Sequence, residues 1–374
     1  MAQNNFTEVI DPIATAAHLT WSITALIGIP ANLFVLAAIV YFRDMRTISN
    51  IYIFNLALAD LLFLCAIPVN FLGRSAQEGW TWGPIMCKLY VSGNAVSQFA
   101  SAVFIAILSF DRYLAVCRPI QSKSFRTTQA ALALSVAAWV MVILEMTPLF
   151  LFVKLIKSTS GNYTTRSCML FVGNVTALET LEGADEADAT ALNEVEQNML
   201  TSRRFFTSYT FALSYLIPLV AVWYFYFKII LKMCQRKQQM QTKRTGTKRR
   251  TTKVTIMGLA IVISYTHCWL PFWIVQWSIE ANLFQKSKYL LFCFTHFAFA
   301  LQYINSAANP FLYVFLSDSF QKNIQKLLRT AKPDKHIRLK SSTEPLDTTE
   351  MLNVTSNPLC STASAASDSH CSSC

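Results

Sequence analysis

The sequence predicts an all-α membrane protein, a seven-transmembrane helix bundle with a short amphipathic helix after the seventh span. The chain of 374 residues is 53% hydrophobic and only 14% charged, whereas soluble domains are about a quarter charged. Its apolar residues also fall into seven runs, each long enough for a membrane helix, which needs roughly 20 mostly apolar residues. The predicted spans, numbered one to seven, are residues 20–42, 51–73, 85–117, 129–153, 205–232, 254–279 and 287–316.

The positions of Lys and Arg predict the orientation, because cytosolic loops of membrane proteins are enriched in both. The loop 233–253 between spans five and six is basic and contains no acid, and the segment 321–340 after span seven is also basic. Both are therefore expected in the cytosol, which places the N-terminal segment 1–19 outside a multi-pass protein of the plasma membrane. The net charge of +11 then reflects topology, and no nucleic-acid partner is expected.

The segments expected outside contain three N-glycosylation sequons, at Asn5, Asn162 and Asn174. The outer loop 154–202 is long, and its acidic second half with few aromatics predicts a solvated, mobile insertion. An alternative interpretation is that its acids attract a basic peptide. Cys87 at the outer end of span three and Cys168 in this loop are the best disulfide candidates, because the extracellular side is oxidising.

Polar residues inside the spans are the main candidates for function, because polar groups within a membrane are costly. In span seven, Asn309 stands beside Pro310, which removes a helical hydrogen bond, so we expect a buried hinge there. Asp60 lies mid-way through span two, and that span has no Lys or Arg to pair with it. The other polar residues at comparable depth are Asn32, Ser101, Asn305 and Ser306. Together with Asp60 they could hold a sodium ion, or they could only fix helix packing.

The tripeptide Asp111-Arg112-Tyr113 ends span three at the cytosolic boundary. It is either an exposed ion pair of little energetic weight or a latch in which Arg112 is tied to its neighbour in one state and free in another. The residues alone leave both interpretations open.

Taken together, the motifs resemble those of rhodopsin-like (class A) G-protein-coupled receptors over nearly the whole chain. The matching pieces are GIPAN (28–32), NLALAD (55–60), DRYLAVCRP (111–119), Trp139, Pro218 with Tyr226, CWLP (268–271), NPFLY (309–313) and Phe320. The sequences GWTWG before Cys87 and 303–320 resemble the somatostatin, opioid and allatostatin-C branch of peptide receptors. FRT at 125–127 and CWLPFWIVQW at 268–277 are more similar to the allatostatin-C side.

This resemblance implies a receptor that activates heterotrimeric G proteins, of the inhibitory class, by outward movement of span six about Pro271. The implied switch residues are Asp111, Arg112, Tyr113, Pro218, Tyr226, Trp269, Pro271, Asn309, Pro310 and Tyr313. Arg112 and Ile120 would contact the G protein. The helix in 321–340 would lie on membrane lipid, and the disordered Ser/Thr-rich tail 341–374 would bind a receptor kinase and arrestin.

The implied ligand is an extracellular neuropeptide in a pocket between spans three, five, six and seven. The candidate lining residues are Asn94, Gln98, Phe272, Trp273, Gln276, Phe299, Gln302 and Tyr303. Asn94 occupies the place where somatostatin and opioid receptors carry an Asp, so an ion pair with a ligand cation is not expected there. Ala102 and Tyr265 likewise replace the common Ile and Phe near Pro218. His267 is interpreted as a hydrogen-bonded core histidine.

The alternatives are a class A receptor for another peptide or a small molecule and, more remotely, a transporter. The sequence shows no duplicated halves, which transporters commonly have. It also shows no paired nucleophile and base or metal-ligand spacing, so neither an enzyme nor a resident cofactor other than the sodium ion is expected. The opsins are excluded because no Lys lies between Lys288 and Lys322.

Overall fold

A computed structural model describes residues 2–75, 78–160, 163–170, 189–239, 246–283 and 287–330 of the chain. Seven of its helices are long and apolar enough to cross a membrane, which confirms the predicted fold class. In the description below, the outer end of the bundle carries Cys87 and Cys168, and the inner end carries Asp111 and Arg112. The membrane-crossing segments are Pro12–Tyr41, Ile48–Gly73, Gly83–Cys117, Thr128–Phe152, Arg203–Gln235, Thr255–Glu280 and Tyr289–Leu316.

The helices themselves extend beyond several of these segments. Span one lies in Ala2–Tyr41, span five in Ala189–Phe211 and Ile217–Gln239, span six in Gly246–Glu280 and span seven in Lys288–Leu316. The expected outer segments 1–19 and 154–202 therefore contain helical residues. The sequence pattern did not indicate these extensions, because hydropathy marks where a helix is apolar and not where its backbone hydrogen bonds end.

Threonine and serine side chains mark where several spans begin. Thr47, Thr127 and Ser287 each accept a hydrogen bond from a backbone N–H of the first turn of spans two, four and seven. Such N-caps satisfy donors that a helix start leaves unpaired. The shorter helix Asp318–Thr330 follows span seven after Ser317. It begins three residues before the expected segment 321–340 and ends within it.

The outer end carries a four-stranded sheet that the sequence did not predict. Its strands are β1 (Arg74–Ser75), β2 (Gly79–Trp80), β3 (Val153–Ser160) and β4 (Tyr163–Leu170), in the order β1-β2-β4-β3. β3 and β4 form an antiparallel hairpin from Val153 opposite Leu170 to Ser160 opposite Tyr163. The first part of the outer segment is thus ordered as a hairpin, because its backbone groups pair with each other. The acidic stretch 179–188 lies outside the described residues.

The spans pack closely where small residues meet. A Cβ on Gly28 of span one would stand 2.7 Å from Leu64 Cδ1 of span two and 2.8 Å from the Ala307 Cβ of span seven. Spans two and four are joined by Trp139, whose indole donates to Asn55 Oδ1 at 2.8 Å. Small residues allow this approach in membrane helices, and polar side chains add hydrogen bonds between them.

Candidate functional site

Asp60 is the centre of the buried polar set. Its side chain has no exposed surface, and its Oδ2 accepts a hydrogen bond from Asn309 Nδ2 at 2.8 Å. The Ser101 and Ser306 side chains face the same carboxyl group. The structure therefore brings four of the six predicted polar residues, from spans two, three and seven, to one point.

Two members of the set contribute differently. Asn305 Oδ1 accepts from Ser264 Oγ of span six at 3.0 Å. Asn32 Nδ2 donates to the Ser306 carbonyl at 3.1 Å and to the Gly28 carbonyl at 3.0 Å. Asn32 thus fixes span one to span seven, and Asn305 connects span seven to span six.

Oxygen atoms in this set remain without hydrogen-bond partners. Within the described chain, Asp60 Oδ1, Asn309 Oδ1 and Asn32 Oδ1 are buried and accept no hydrogen bond. A buried acceptor without a donor is costly. Carboxylate and amide oxygens suit hard cations, and no group of three or more His, Cys, Asp or Glu side chains occurs among the described residues. The unpaired oxygens, with one carboxylate among them, therefore have the chemistry that a hard cation prefers.

Span five contains a local defect next to Pro218. Residues Ala212–Leu216 form a π-helical turn, a feature that often marks functional positions. Pro218 has no N–H to donate to the Ser214 carbonyl four residues earlier. That carbonyl accepts instead from the Tyr265 hydroxyl of span six at 2.6 Å. The hydroxyl that distinguishes Tyr265 from the family's common Phe thus fills an acceptor position that Pro218 leaves open.

The same turn is connected to the predicted ligand pocket. Gln98 of span three donates through Nε2 to Ser214 Oγ at 2.8 Å. Ser214 is completely buried, and Tyr265 is 3% exposed. Above Tyr265 lies Trp269, with ring centroids 5.8 Å apart. A polar connection therefore runs from the pocket wall through span five to Tyr265 of span six, less than two turns before Pro271.

At the inner end, Asp111 and Arg112 are buried with 4% and 7% exposure. The Arg112 guanidinium donates to the Asp111 carboxylate and to the Ser49 hydroxyl of span two. Asp111 also accepts from Arg126 Nε at 2.9 Å. Because both partners are buried, the interpretation as an exposed pair is wrong. Tyr113 points elsewhere, with its ring 5.5 Å from that of Phe225 in span five.

Tyr226 lies close to Arg112 beside Gly258, and Tyr313 packs against Phe320 of the helix after span seven. The hydroxyls of Tyr226 and Tyr313 are buried and have no hydrogen-bond partner within the described part of the chain. Gly258 of span six makes room for the first of them, since a Cβ there would overlap the Tyr226 hydroxyl. Pro218 and Pro310 are buried, and Pro271 is half-buried. The predicted switch residues therefore line the bundle interior rather than its lipid face.

The predicted ligand residues divide into two groups. Asn94 Oδ1, Gln302 Nε2 and Trp273 Nε1 are buried polar atoms without partners among the described residues. Gln276 and Phe272 are half-buried on span six. In contrast, Phe299 and Tyr303 pack against Trp21 of span one, with ring centroids 6.4 and 5.9 Å from it. The polar members of the first group offer neutral donors and acceptors. Phe299 also packs 5.7 Å from the Phe272 ring of span six, and Tyr303 packs 4.7 Å from the Phe63 ring of span two, so the second group mainly joins helices.

Other predictions have mixed outcomes. The disulfide Cys87–Cys168 is present, with a Cα–Cα distance of 5.6 Å, and Ile120 is 89% exposed at the inner end.

The interpretation of His267 as a core residue is wrong, since its side chain is exposed on the outside of the bundle and bonds the Ile263 carbonyl of its own helix through Nδ1. This hydrogen bond within one helix turn satisfies Nδ1 of the ring without a partner in the bundle interior. The Asn5 side chain, the sequons Asn162 and Asn174, and the tail from residue 331 lie outside the described parts.

Sequence reasoning missed one charged cluster at the outer end. Glu280, at the end of span six, is 6% exposed. It accepts from Arg203 Nε of span five at 2.9 Å and from Thr207 Oγ1 at 3.3 Å, and Arg204 Nε is 3.8 Å away. The signal available in the sequence was an acid at the outer end of span six together with two arginines at the outer end of span five.

Comparisons with known proteins agree with this arrangement. Residues 31–313 match the family profile described as 7 transmembrane receptor (rhodopsin family). This chain belongs to the rhodopsin family of seven-transmembrane receptors. It is therefore a multi-pass membrane receptor and not an enzyme.

Related receptors share much of its length. The chain is 31% identical to somatostatin receptor type 1 of Rattus norvegicus over 309 residues, which is 82% of this receptor and 70% of the relative. It is 31% identical to somatostatin receptor type 2 of Sus scrofa over 332 residues, 88% of this receptor and 82% of the relative. It is 29% identical to neuropeptides B/W receptor type 1 of Mus musculus over 320 residues, 85% and 88% of the two chains. The similarity thus covers the bundle and the polar core described above.

Proposed function

We propose that this receptor binds an extracellular peptide and activates heterotrimeric G proteins at its inner end. The relatives are named for somatostatin and for neuropeptides B and W, and both the membrane orientation and the coupling follow the family resemblance. The observation that carries the proposal is the buried Arg112, held by Asp111 and Ser49 beside Tyr226, whose hydroxyl has no hydrogen-bond partner among the described residues. This is the arrangement of a closed state whose groups have other partners in an open one.

The mechanism needs only two arrangements of the same bundle. A ligand that binds the open arrangement more tightly shifts the population toward it. Outward movement of span six about Pro271 would uncover Arg112 and the Tyr226 and Tyr313 hydroxyls. The exposed Ile120 would then contact the G protein beside Arg112. In the closed arrangement the guanidinium is satisfied by Asp111 and Ser49, so it offers nothing to a partner.

The pocket chemistry supports a peptide recognised through neutral groups. Asn94, Gln302 and Trp273 contribute amide and indole atoms that have no partner among the described residues and that match the backbone and amide side chains of a peptide. An ammonium ligand would find no carboxylate at Asn94. On the motif resemblance, we propose an allatostatin-C-like or somatostatin-like neuropeptide and a G protein of the inhibitory class. Phosphorylation of the tail for arrestin binding follows from the same resemblance.

The test is nucleotide exchange on purified G proteins by the receptor in lipid nanodiscs. Each class of G protein is tested with a panel containing somatostatin, allatostatin C and neuropeptides B and W. Exchange stimulated by one peptide on an inhibitory G protein supports the full proposal. Stimulation only by a small amine or lipid would contradict the peptide assignment, and ion or substrate flux without exchange would contradict coupling.

Arg112→Ala tests the observation that carries the proposal. We expect exchange to be lost while cell-surface expression and peptide binding remain. Arg126→Ala is the matched control, because Arg126 also donates to Asp111 but its side chain is less buried, with 24% exposure. We expect the Arg126→Ala receptor to stimulate nucleotide exchange as the wild type does. Full exchange from Arg112→Ala would refute the role of this residue.

A sodium ion is a second proposal, supported by the unpaired Asp60 Oδ1 and Asn309 Oδ1. These atoms, with the Ser101 and Ser306 hydroxyls, would hold the ion, and its charge would compensate the buried carboxylate. We expect sodium, but not potassium, to raise the thermal denaturation midpoint of the wild type and to have no effect on Asp60→Asn. Equal responses of both proteins to sodium would contradict the site.

A further inference from the structure

An ion pair joins the inner end of span six to the helix that follows span seven. Lys253 Nζ lies 2.5 Å from Asp318 Oδ1, and the two side chains are 38% and 36% exposed. Lys253 lies just before the membrane-crossing part of span six, which begins at Thr255. Asp318 is in the first turn of the helix Asp318–Thr330. The pair therefore spans the boundary that outward movement of span six must open.

The helix that carries Asp318 is firmly anchored to the rest of the bundle. Phe320 is 1% exposed, and its ring centroid is 6.4 Å from that of Tyr313 in span seven. Asn323 is also 1% exposed and donates through Nδ2 to Asp44 Oδ2, before span two, at 3.3 Å. Asp318 is thus attached to a fixed base made by span seven and the turn between spans one and two, whereas Lys253 is attached to the span that moves.

Among the side chains that the structure describes, Arg112 forms no hydrogen bond with span six. Within the described chain, its side-chain hydrogen bonds go to Asp111 of its own helix and to Ser49. On span six the neighbouring position is Gly258, where a Cβ would be 3.9 Å from Arg112 Cγ. A glycine has no side chain to bind a guanidinium. Within the described residues, the ion pair between Lys253 and Asp318 links the inner end of span six to the helix after span seven.

We propose that Lys253 and Asp318 form a clamp that holds span six closed at its inner end. This inference rests on the proposed function, since it assigns the clamp to the movement that admits a G protein. A half-exposed pair in water has a modest effect, so loss of the clamp is expected to raise the open population by about two- to fivefold. Salt should reproduce part of this increase, because it screens exposed pairs.

The first experiment measures ligand-independent nucleotide exchange on G protein in nanodiscs. Lys253→Gln and Asp318→Asn should each raise it about two- to fivefold, and the double variant should rise no further than the larger single effect. The reversed pair, Lys253→Asp with Asp318→Lys, should give less exchange than either reversal alone. The matched control is Lys326→Gln, which removes an exposed cation from the same helix about two turns beyond Asp318 and should leave exchange unchanged.

Lys253→Gln is the decisive variant because it leaves the helix after span seven intact. Asp318→Asn also removes an acid from the first turn of that helix, where a negative charge is favourable, so a rise from it alone would indicate loosening of the helix. Unchanged exchange with Lys253→Gln, or fully additive single effects, would overturn the clamp.

A second experiment does not depend on a G protein. Spin labels at Ile256→Cys and Gln325→Cys, both exposed positions, report the distance between span six and the helix after span seven. The free cysteines are replaced by serine in this background, and the disulfide is kept. We expect Lys253→Gln to increase the long-distance population about two- to fivefold and the reversed pair to lower it relative to each reversal alone.

The two readouts separate the clamp from the proposed function. A distance response without exchange on any G protein would refute coupling and retain the clamp. Exchange in the wild type with no distance response to Lys253→Gln would retain coupling and refute the clamp.

Discussion

Replacement of Tyr265 by Phe tests the contact between the π-helical turn of span five and span six. The substitution removes one hydroxyl and keeps the ring, which packs 6.0 Å from the Tyr215 ring and 5.8 Å from the Trp269 ring. No cavity is created beyond the missing oxygen. The Ser214 carbonyl, which accepts that hydroxyl at 2.6 Å, loses its partner on span six, and Pro218 cannot replace it.

The magnitude follows from the burial of both groups. A buried acceptor left unpaired costs about 1–3 kcal/mol, and Ser214 is fully buried while Tyr265 is 3% exposed. For a bundle of this size, that cost corresponds to a fall in the thermal denaturation midpoint of about 2–10 °C. The cost applies to the arrangement in which spans five and six are joined here, so ligand-independent nucleotide exchange should also rise.

The assay compares purified Tyr265→Phe with wild type by thermal denaturation in nanodiscs. Tyr215→Phe is the matched control: it removes another hydroxyl between the same spans, one that donates to the Thr266 carbonyl at 3.2 Å. Thr266 is followed four residues later by Leu270, which has an N–H, so its carbonyl keeps a helical partner. We expect a smaller change from Tyr215→Phe. An unchanged or higher midpoint for Tyr265→Phe would refute the reasoning.

Three further predictions use the same assays. Gly258→Ala places a Cβ where the Tyr226 hydroxyl lies, so we expect a lower denaturation midpoint and altered ligand-independent exchange, whereas Tyr226→Phe in the same background should restore part of the midpoint. Glu280→Gln removes the carboxylate that binds Arg203. Because Arg203 is 45% exposed, we expect the free energy of unfolding to fall by only about 1 kcal/mol, and 1 M salt should make this fall smaller. A fall that does not depend on salt would contradict an ionic contact. Cys87→Ser opens a disulfide that closes 81 residues of chain, and the expected loss of about 2–5 kcal/mol should appear as reduced surface expression.

Much of the site could be predicted because its members are conspicuous in apolar surroundings. Asp60 and Asn309 are polar residues in apolar runs, and the structure joins them at 2.8 Å. The sequence could not show that Asn305 turns toward Ser264 instead, since that depends on the rotation of span seven about its axis. His267 was misplaced for the same reason: a change of one residue along a helix rotates a side chain by about 100°.

The amino-acid sequence by itself determined the seven spans and the identity of the polar core residues, because hydrocarbon excludes polar groups that have no protein partner. Only the tertiary structure decided which groups become partners. Lys253 and Asp318 are 65 residues apart, and Arg203 and Glu280 are 77 apart, so no local pattern relates them. Their pairing depends on the packing and relative rotation of whole helices. Those quantities arise from the sum of many weak contacts and are not encoded in any single motif.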